Sequence, residues 1–459
     1  GGGKRGRPAQ AREASRARRP REAVTVAVSP ITQRRLRQRN PFARFNSTPL
    51  AVDSVALIVT SALSAATGIA FWTLAARLIP PHELGIETAV LSLMTTAGAV
   101  AASGPGNAIT AMIPASDAAG RRQRLLEAIT IVGVGALVTG AVAGVVGALT
   151  VGEASARTTV VIALGSVVLA FFAFKDTVLT ALSAARRLPL LNLGVSVLKA
   201  AALPIALLVA LPMSAVTASL FAATIGIALV AWMAPPLVGQ NLAPVGMVRE
   251  HKRSALLVFS LRDGTASLVS MGVLLAAPFL TTWLAGPIQG AILALMLPIA
   301  QSLDFVSIGA AMALTKHLPT AREPRQVIVR VWWVSQAAVI AVALGLIVSA
   351  PVLFELFGDG YDHQTLWLTL AVLCLASILR VSFVVWAAVL RASLATRALL
   401  VTNFATSVIT VPFLVISIIA WGAVGAAVGA CVGSLVAGLA GLIGLTRGKH
   451  ALRIQEESA

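Results

Sequence analysis

From about residue 48 onward, apolar residues follow one another in runs of about 20 or more, separated by short polar or basic breaks. Runs of that length match the ~30 Å hydrocarbon core of a bilayer, because an α-helix rises ~1.5 Å per residue. In lipid a single segment satisfies its whole backbone only as a helix, so each run predicts a membrane-spanning helix. Twelve are read: near 51–77, 85–110, 126–150, 158–182, 189–211 and 214–236, then 257–283, 287–313, 327–351, 364–388, 399–419 and 421–445. The predicted fold is an all-α polytopic membrane protein.

The breaks alternate in charge. One set carries Arg121, Arg122, Arg124; Arg186, Arg187; Arg249, Lys252, Arg253; Lys316, Arg322, Arg325, Arg330; Arg391, Arg397; and Arg447, Lys449, Arg453. The other set has only Arg77 and Arg157, and its largest loop is acidic, with Glu355, Asp359 and Asp362. Cytoplasmic loops collect Lys and Arg, so both termini are expected in the cytoplasm of a multi-pass protein. An odd number of helices would break this alternation.

Composition agrees: 57% of the 459 residues are hydrophobic and 12% charged, about half the charge of a soluble chain. Fibrous, disordered and disulfide-rich secreted classes are excluded on the same grounds. Net charge is +18, and residues 1–47 alone hold 13 of the 36 Lys and Arg against two acids. That tail lacks the apolar stretch of a signal peptide and is expected to be retained. It reads as a disordered cytoplasmic segment that fixes orientation and adsorbs to anionic membrane lipids, at about 1 kcal/mol per basic residue. No nucleic-acid partner is expected, whereas cytoplasmic partners, glycosyltransferases among them, remain open.

The longest inner loop falls between spans six and seven. It divides the chain into a tail (1–47), a six-helix lobe (48–237), a linker (238–254), a second lobe (255–446) and a C-terminal tail (447–459). The lobes look alike. Lys175 lies 11 residues before Arg186, and Arg380 lies 11 before Arg391. Each pair is followed by an Asn (Asn192, Asn403) and a Pro (Pro204, Pro412), and the Pro81–Gly85 turn has a counterpart in Pro287–Gly290. Six plus six helices in one orientation imply parallel repeats about an axis along the membrane normal, with a site between the lobes.

Three stretches carry a resemblance. Phe71-Trp-Thr-Leu-Ala-Ala-Arg-Leu-Ile-Pro-Pro-His-Glu-Leu-Gly85, Leu353-Phe-Glu-Leu-Phe-Gly-Asp-Gly-Tyr361 and Trp421-Gly-Ala-Val-Gly-Ala-Ala-Val-Gly429 are similar to those of polysaccharide (Wzx-type) flippases. These belong to the multidrug/oligosaccharidyl-lipid/polysaccharide exporter superfamily. The resemblance covers about residues 48–447. It implies two six-helix lobes set as a V around a central cavity, moving a lipid-linked (phosphate or diphosphate) saccharide by alternating access. The expected place is the bacterial inner membrane, in cell-envelope polysaccharide biosynthesis.

Candidate chemistry lies in ionisable residues inside the spans, each costly there unless it meets a cavity or a partner. The cations are Lys175, Lys199, Arg262 and Arg380, and the acids Asp176, Asp263 and Asp304. A cation in a low-dielectric cavity attracts a phosphate far more strongly than in water. Lys175 and Arg380 are therefore expected to face each other across the lobes, with Arg262 as a bidentate fork. The acids are candidate counter-ions or coupling sites. Neighbours in sequence such as Lys175 and Asp176 diverge by ~100° on a helix, which argues against simple mutual neutralisation. Glu87 reads as a partner for a helix N-terminal dipole and Asp53 as a helix cap. Gly104-Pro-Gly106-Asn107 reads as a break in span two, either a hinge or a cavity-lining bend, Gln301 and Ser302 as a polar stripe with Asp304, and Gly422, Gly425 and Gly429 as close-packing positions.

Enzyme readings lack their parts. There is no Walker A loop and no Asp-rich diphosphate–metal motif, the five His are scattered, and Cys374 and Cys431 lack metal-ligand spacing. No cofactor or metal is expected. The rival readings are an H+- or Na+-coupled multidrug or metabolite antiporter, a lipid II flippase of the MurJ type, and a non-transporting scaffold.

Overall fold

The computed structural model describes residues 66–113, 116, 118–150, 156–239, 256–258, 260–261, 272–318, 323–392 and 396–447. All belong to one compact unit, Asp53–Ala459. The described residues contain helices and no strand. In chain order the helices are α1 (66–78), α2 (Pro81–Met112), α3 (Ala118–Thr150), α4 (Ala156–Ala181), α5 (Leu188–Leu208) and α6 (Ser214–Val238). Then follow α7 (Val273–Ala285), α8 (Pro287–His317), α9 (Pro324–Glu355) and α10 (His363–Ala392). The last run, Thr396–Arg447, reverses at Gly422 (φ 57°, ψ −127°) and makes two helices, α11 (396–421) and α12 (423–447).

Nine helices of the described residues are long and apolar enough to cross a membrane, the Thr396–Arg447 run counted once. The residues completing spans one and seven lie outside those described, so the count of twelve stays an expectation. Arg262 and Asp263 lie there too, as do Asp53, both tails and most of the linker.

Sequence chemistry sets the helix ends. Pro81, Pro287 and Pro324 occupy first turns, where the missing N–H costs nothing. Arg121 Nε donates to the Ser116 carbonyl (2.9 Å) and Arg124 to the Met112 carbonyl (2.9 Å), so these cations close the C-terminal end of α2. Glu87, only 7% exposed, reaches from α2 and accepts the N–H groups of Ala215 (2.6 Å) and Val216 (3.2 Å) at the start of α6. Gln289 of α8 does the same for Ala423 (2.9 Å) at the start of α12. Two corresponding caps in the two halves are what an internal repeat would place there.

Small residues let the helices cross. A Cβ on Gly85 would lie 1.9 Å from the Pro287 carbonyl oxygen, where α2 meets α8. One on Gly104 would lie 2.0 Å from the Ser260 oxygen, and one on Gly106 would lie 2.8 Å from Thr177 Oγ1. Helix α2 runs through Pro105 to Met112 without a break. The expected break is thus absent, and the two glycines are close-packing positions that leave room for neighbouring helices beside the proline. Gly425 and Gly429 pack tightly against Ser417 and Leu414, as expected, whereas Gly422 forms the reversal itself.

In the N-terminal half α2, α3 and α4 pack together, and α6 joins α5 to α4. In the C-terminal half α10 is central, packed on α8, α9 and the α11–α12 hairpin. The halves meet where α2 lies along α7 and α8. One apolar core also joins Phe71, Ala75 and Ile79 of α1 to Ile292, Leu295 and Ile299 of α8. Outward faces are apolar as well: Leu137, Val138 and Leu149 of α3 and Val348 and Val352 of α9 are exposed, as lipid-facing residues are.

Candidate functional site

A cavity of about 420 Å³ lies within the C-terminal half, walled by α7, α8, α10, α11 and α12. Helix α10 presents Leu373, Ala376, Ser377, Arg380 and Phe383, a spacing of three and four that keeps them on one face. Helix α8 adds Leu293, Leu297, Ala300, Gln301 and Asp304, and α11 adds Asn403, Thr406, Ser407, Thr410 and Leu414. The polarity is ordered. Along α8 the lining passes from leucines to Gln301 and Asp304, and along α10 from Leu373 to Arg380. Helix α11 runs the other way, from Asn403 to Leu414. One end of the chamber is therefore polar and the other apolar.

At its centre the Arg380 guanidinium donates to the Asp304 carboxylate. The side chains are 29% and 14% exposed, so the pair faces the cavity instead of being sealed in the core. Arg is suited to such a place: its planar fork stays charged and matches a carboxylate or a phosphate. Gln301 shares the lining with Asp304. Ser302 does not; its hydroxyl donates to the Ile299 carbonyl (2.6 Å).

Lys175 sits elsewhere. It is 3% exposed on α4, with its Nζ 2.5 Å from Asp176 Oδ1, 2.7 Å from Asn192 Oδ1 and 4.1 Å from the centre of the Phe172 ring. Lys175 and Asp176 thus do pair despite their divergence on the helix. The four-carbon lysine stem is long enough to bend round to the next residue, while Asp176 remains 41% exposed. Lys199 of α5 lies over the rings of Phe71 (3.8 Å) and Trp72 (5.2 Å) of α1, a cation–π arrangement. Neither lysine lines the cavity that Arg380 lines.

Of the seven candidates, two meet at the cavity (Arg380, Asp304), three stand in the N-terminal half (Lys175, Asp176, Lys199), and Arg262 and Asp263 are outside the described residues. Sequence reasoning used Asn403 only as a repeat marker and overlooked Thr406, Ser407 and Thr410. The signal was present: polar residues at a spacing of three and four in an otherwise apolar helix.

Residues 260–456 match the family model for polysaccharide biosynthesis proteins, and every residue lining the cavity falls within that span. That match covers less than half of the chain and lies wholly in its C-terminal part. Solved structures resemble most of the chain in fold. A multidrug resistance MATE family transporter of the MOP superfamily, in an inward-facing conformation, is 17% identical over 88% of this chain and 100% of its own, with a TM-score of 0.66. The lipid II flippase MurJ, in an inward closed conformation, is 10% identical over 87% and 90%, with a TM-score of 0.68. A MOP superfamily transporter from Pyrococcus furiosus is 16% identical over 88% and 95%, with a TM-score of 0.54. At such identities the likeness is one of fold, and the fold is that of these membrane transporters. No curated protein sequence matches the chain. Family match and fold together support the polysaccharide-exporter family that the sequence motifs resemble.

Proposed function

We propose that this protein is a flippase that moves an anionic lipid-linked oligosaccharide or glycolipid precursor across the bacterial inner membrane by alternating access, for cell-envelope polysaccharide biosynthesis. One coincidence carries the reading. The segment that matches polysaccharide biosynthesis proteins holds a polar-ended cavity with an arginine at its centre. Arg380 is the residue that grips a phosphate oxygen, and the polar face of α11 offers hydrogen bonds beside it. Lys175 and Lys199 serve the N-terminal half, the first through its contacts with Asp176 and Asn192, the second beside the aromatic pair of α1.

One observation favours a second reading. Asp304 places a carboxylate in the cavity, as an H+- or Na+-coupled antiporter of multidrug or metabolite type would use. The test is reconstitution in vesicles, with translocation of a lipid-linked oligosaccharide measured beside gradient-driven uptake of a fluorescent organic cation. Translocation without cation uptake supports the flippase; the reverse replaces it with the antiporter.

A further inference from the structure

Arg391 gives the cavity a second cation. It stands in the last turn of α10, exposed, and lines the same chamber as Arg380. Eleven helical residues make three turns and about 20°, so both arginines lie on one face of α10, about 16 Å apart along its axis. Helix α10 is unbroken between them, and across from it Asn403 and Thr406 of α11 line the polar end. Arg391 lies on the side of the membrane that charge assigns to the cytoplasm. Beyond Arg380 the walls turn apolar, with Leu293, Leu297, Leu373 and Leu414. A guanidinium at the mouth, a second at mid-depth and hydrocarbon at the far end match an amphiphile with an anionic head.

We propose that the cavity binds an amphiphilic phosphate or diphosphate loaded from the basic side, captured by Arg391 and passed to Arg380, where its oxygens replace the Asp304 carboxylate. The inference rests on the flippase reading of the same site and adds two roles to it: Arg391 binds, and Asp304 is a displaceable counter-ion. Carboxylate and phosphate present the same pair of acceptors to the planar fork, so one substitutes for the other without moving the arginine. The internal carboxylate stabilises the empty site and sets a threshold. A ligand must compete with a fixed anion, which a diphosphate does and a neutral sugar does not. The apolar end then receives the first carbons of the ligand's chain.

Binding of radiolabelled farnesyl diphosphate to the full-length, detergent-purified protein tests this, with inorganic pyrophosphate and farnesol as competitors. Arg391→Gln and Arg380→Gln should each raise Kd about tenfold, and Asp304→Asn should lower it about threefold, since the competing anion is gone. Farnesol should compete poorly, and pyrophosphate less well than farnesyl diphosphate. The opposite sign for Asp304→Asn is what a merely structural ion pair would not give. An unchanged Kd in Arg391→Gln, or weaker binding in Asp304→Asn, overturns the proposal. Pyrophosphate competing as well as the farnesyl compound overturns its amphiphile part. Should Arg380→Gln fail to fold, the exposed Arg391 still decides. Translocation by the same preparations separates the two readings. Arg-dependent binding without translocation removes the flippase and keeps the site; translocation without Arg-dependent binding does the reverse.

Discussion

Lys175 and Arg380 hold corresponding places in the two halves, each 11 residues ahead of a second arginine, and the two helices treat them differently. Helix α4 ends at Ala181, and Ser183 turns into the left-handed region (φ 58°), so Arg186 stands in a separate short 3-10 turn. Helix α10 instead continues to Ala392 and keeps Arg391 in line with Arg380. Lys175 is buried and held by Asp176 and Asn192, whereas Arg380 and its one acid face a cavity. The same spacing of cations thus gives a packed polar tie in one half and an accessible anion site in the other. Matching sequence landmarks mark the two positions, but helix continuity decides what each does.

The largest expected effect tests that contrast. Arg380→Met leaves the Asp304 carboxylate without its partner in a mostly enclosed place and should cost about 3 kcal/mol in unfolding free energy, while Lys175→Met should cost about 1 kcal/mol, because Asp176 is less enclosed by the protein. Denaturation in mild detergent, followed by tryptophan fluorescence, measures both. Equal costs would remove the distinction between the halves. Next come the two matching caps. Glu87→Ala should destabilise by about 2 kcal/mol and Gln289→Ala by about 1 kcal/mol, since a charged acceptor holding two N–H groups outweighs a neutral one holding a single N–H.

Much of this architecture was legible in the chain. Apolar runs located the described helices, and the repeat landmarks singled out Lys175 and Arg380. The cavity was not legible, because it depends on five helices converging from distant parts of the sequence. Asn403, Thr406 and Thr410 are ordinary polar residues until α11 is set opposite α10. Gly104-Pro-Gly106 misled for a related reason: a proline flanked by glycines signals a break locally, whereas tertiary packing against Ser260 and Thr177 uses the glycines as contact points. The Lys175–Asp176 pair was misjudged by treating side chains as rigid spokes of the helical wheel.

Smaller effects sharpen the comparison at the helix ends. Ser183→Gly should stabilise the N-terminal half by about 0.5–1 kcal/mol, because glycine adopts a positive φ without the steric cost a Cβ brings. A shift in the melting midpoint reads it out, and destabilisation would contradict the proposed turn. The smallest effect belongs to Asp362, which precedes the first residue of α10. Its carboxylate accepts the Thr365 hydroxyl (2.5 Å) and N–H (3.0 Å) and the Gln364 N–H (3.3 Å). These bonds, the Thr365 hydroxyl first, hold its pKa below the usual aspartate value, with the nearby His363 adding to them. A carboxyl depressed on folding lends its stability above the unfolded pKa of about 4 and loses it as pH falls through the lower folded value. Melting curves between pH 6 and 3 should therefore show a slightly smaller loss in Asp362→Asn than in the unaltered chain.

The central claim is that anion handling belongs to the C-terminal cavity and that the Lys175 cluster is structural. Translocation of a lipid-linked oligosaccharide in reconstituted vesicles tests it directly, with two paired replacements that leave no lone charge behind. Arg380→Met with Asp304→Leu should reduce the rate about a hundredfold, and Lys175→Met with Asp176→Leu should keep it within about threefold of the unaltered protein. Loss of transport in the second pair with retention in the first would contradict the account and move the site to the N-terminal half.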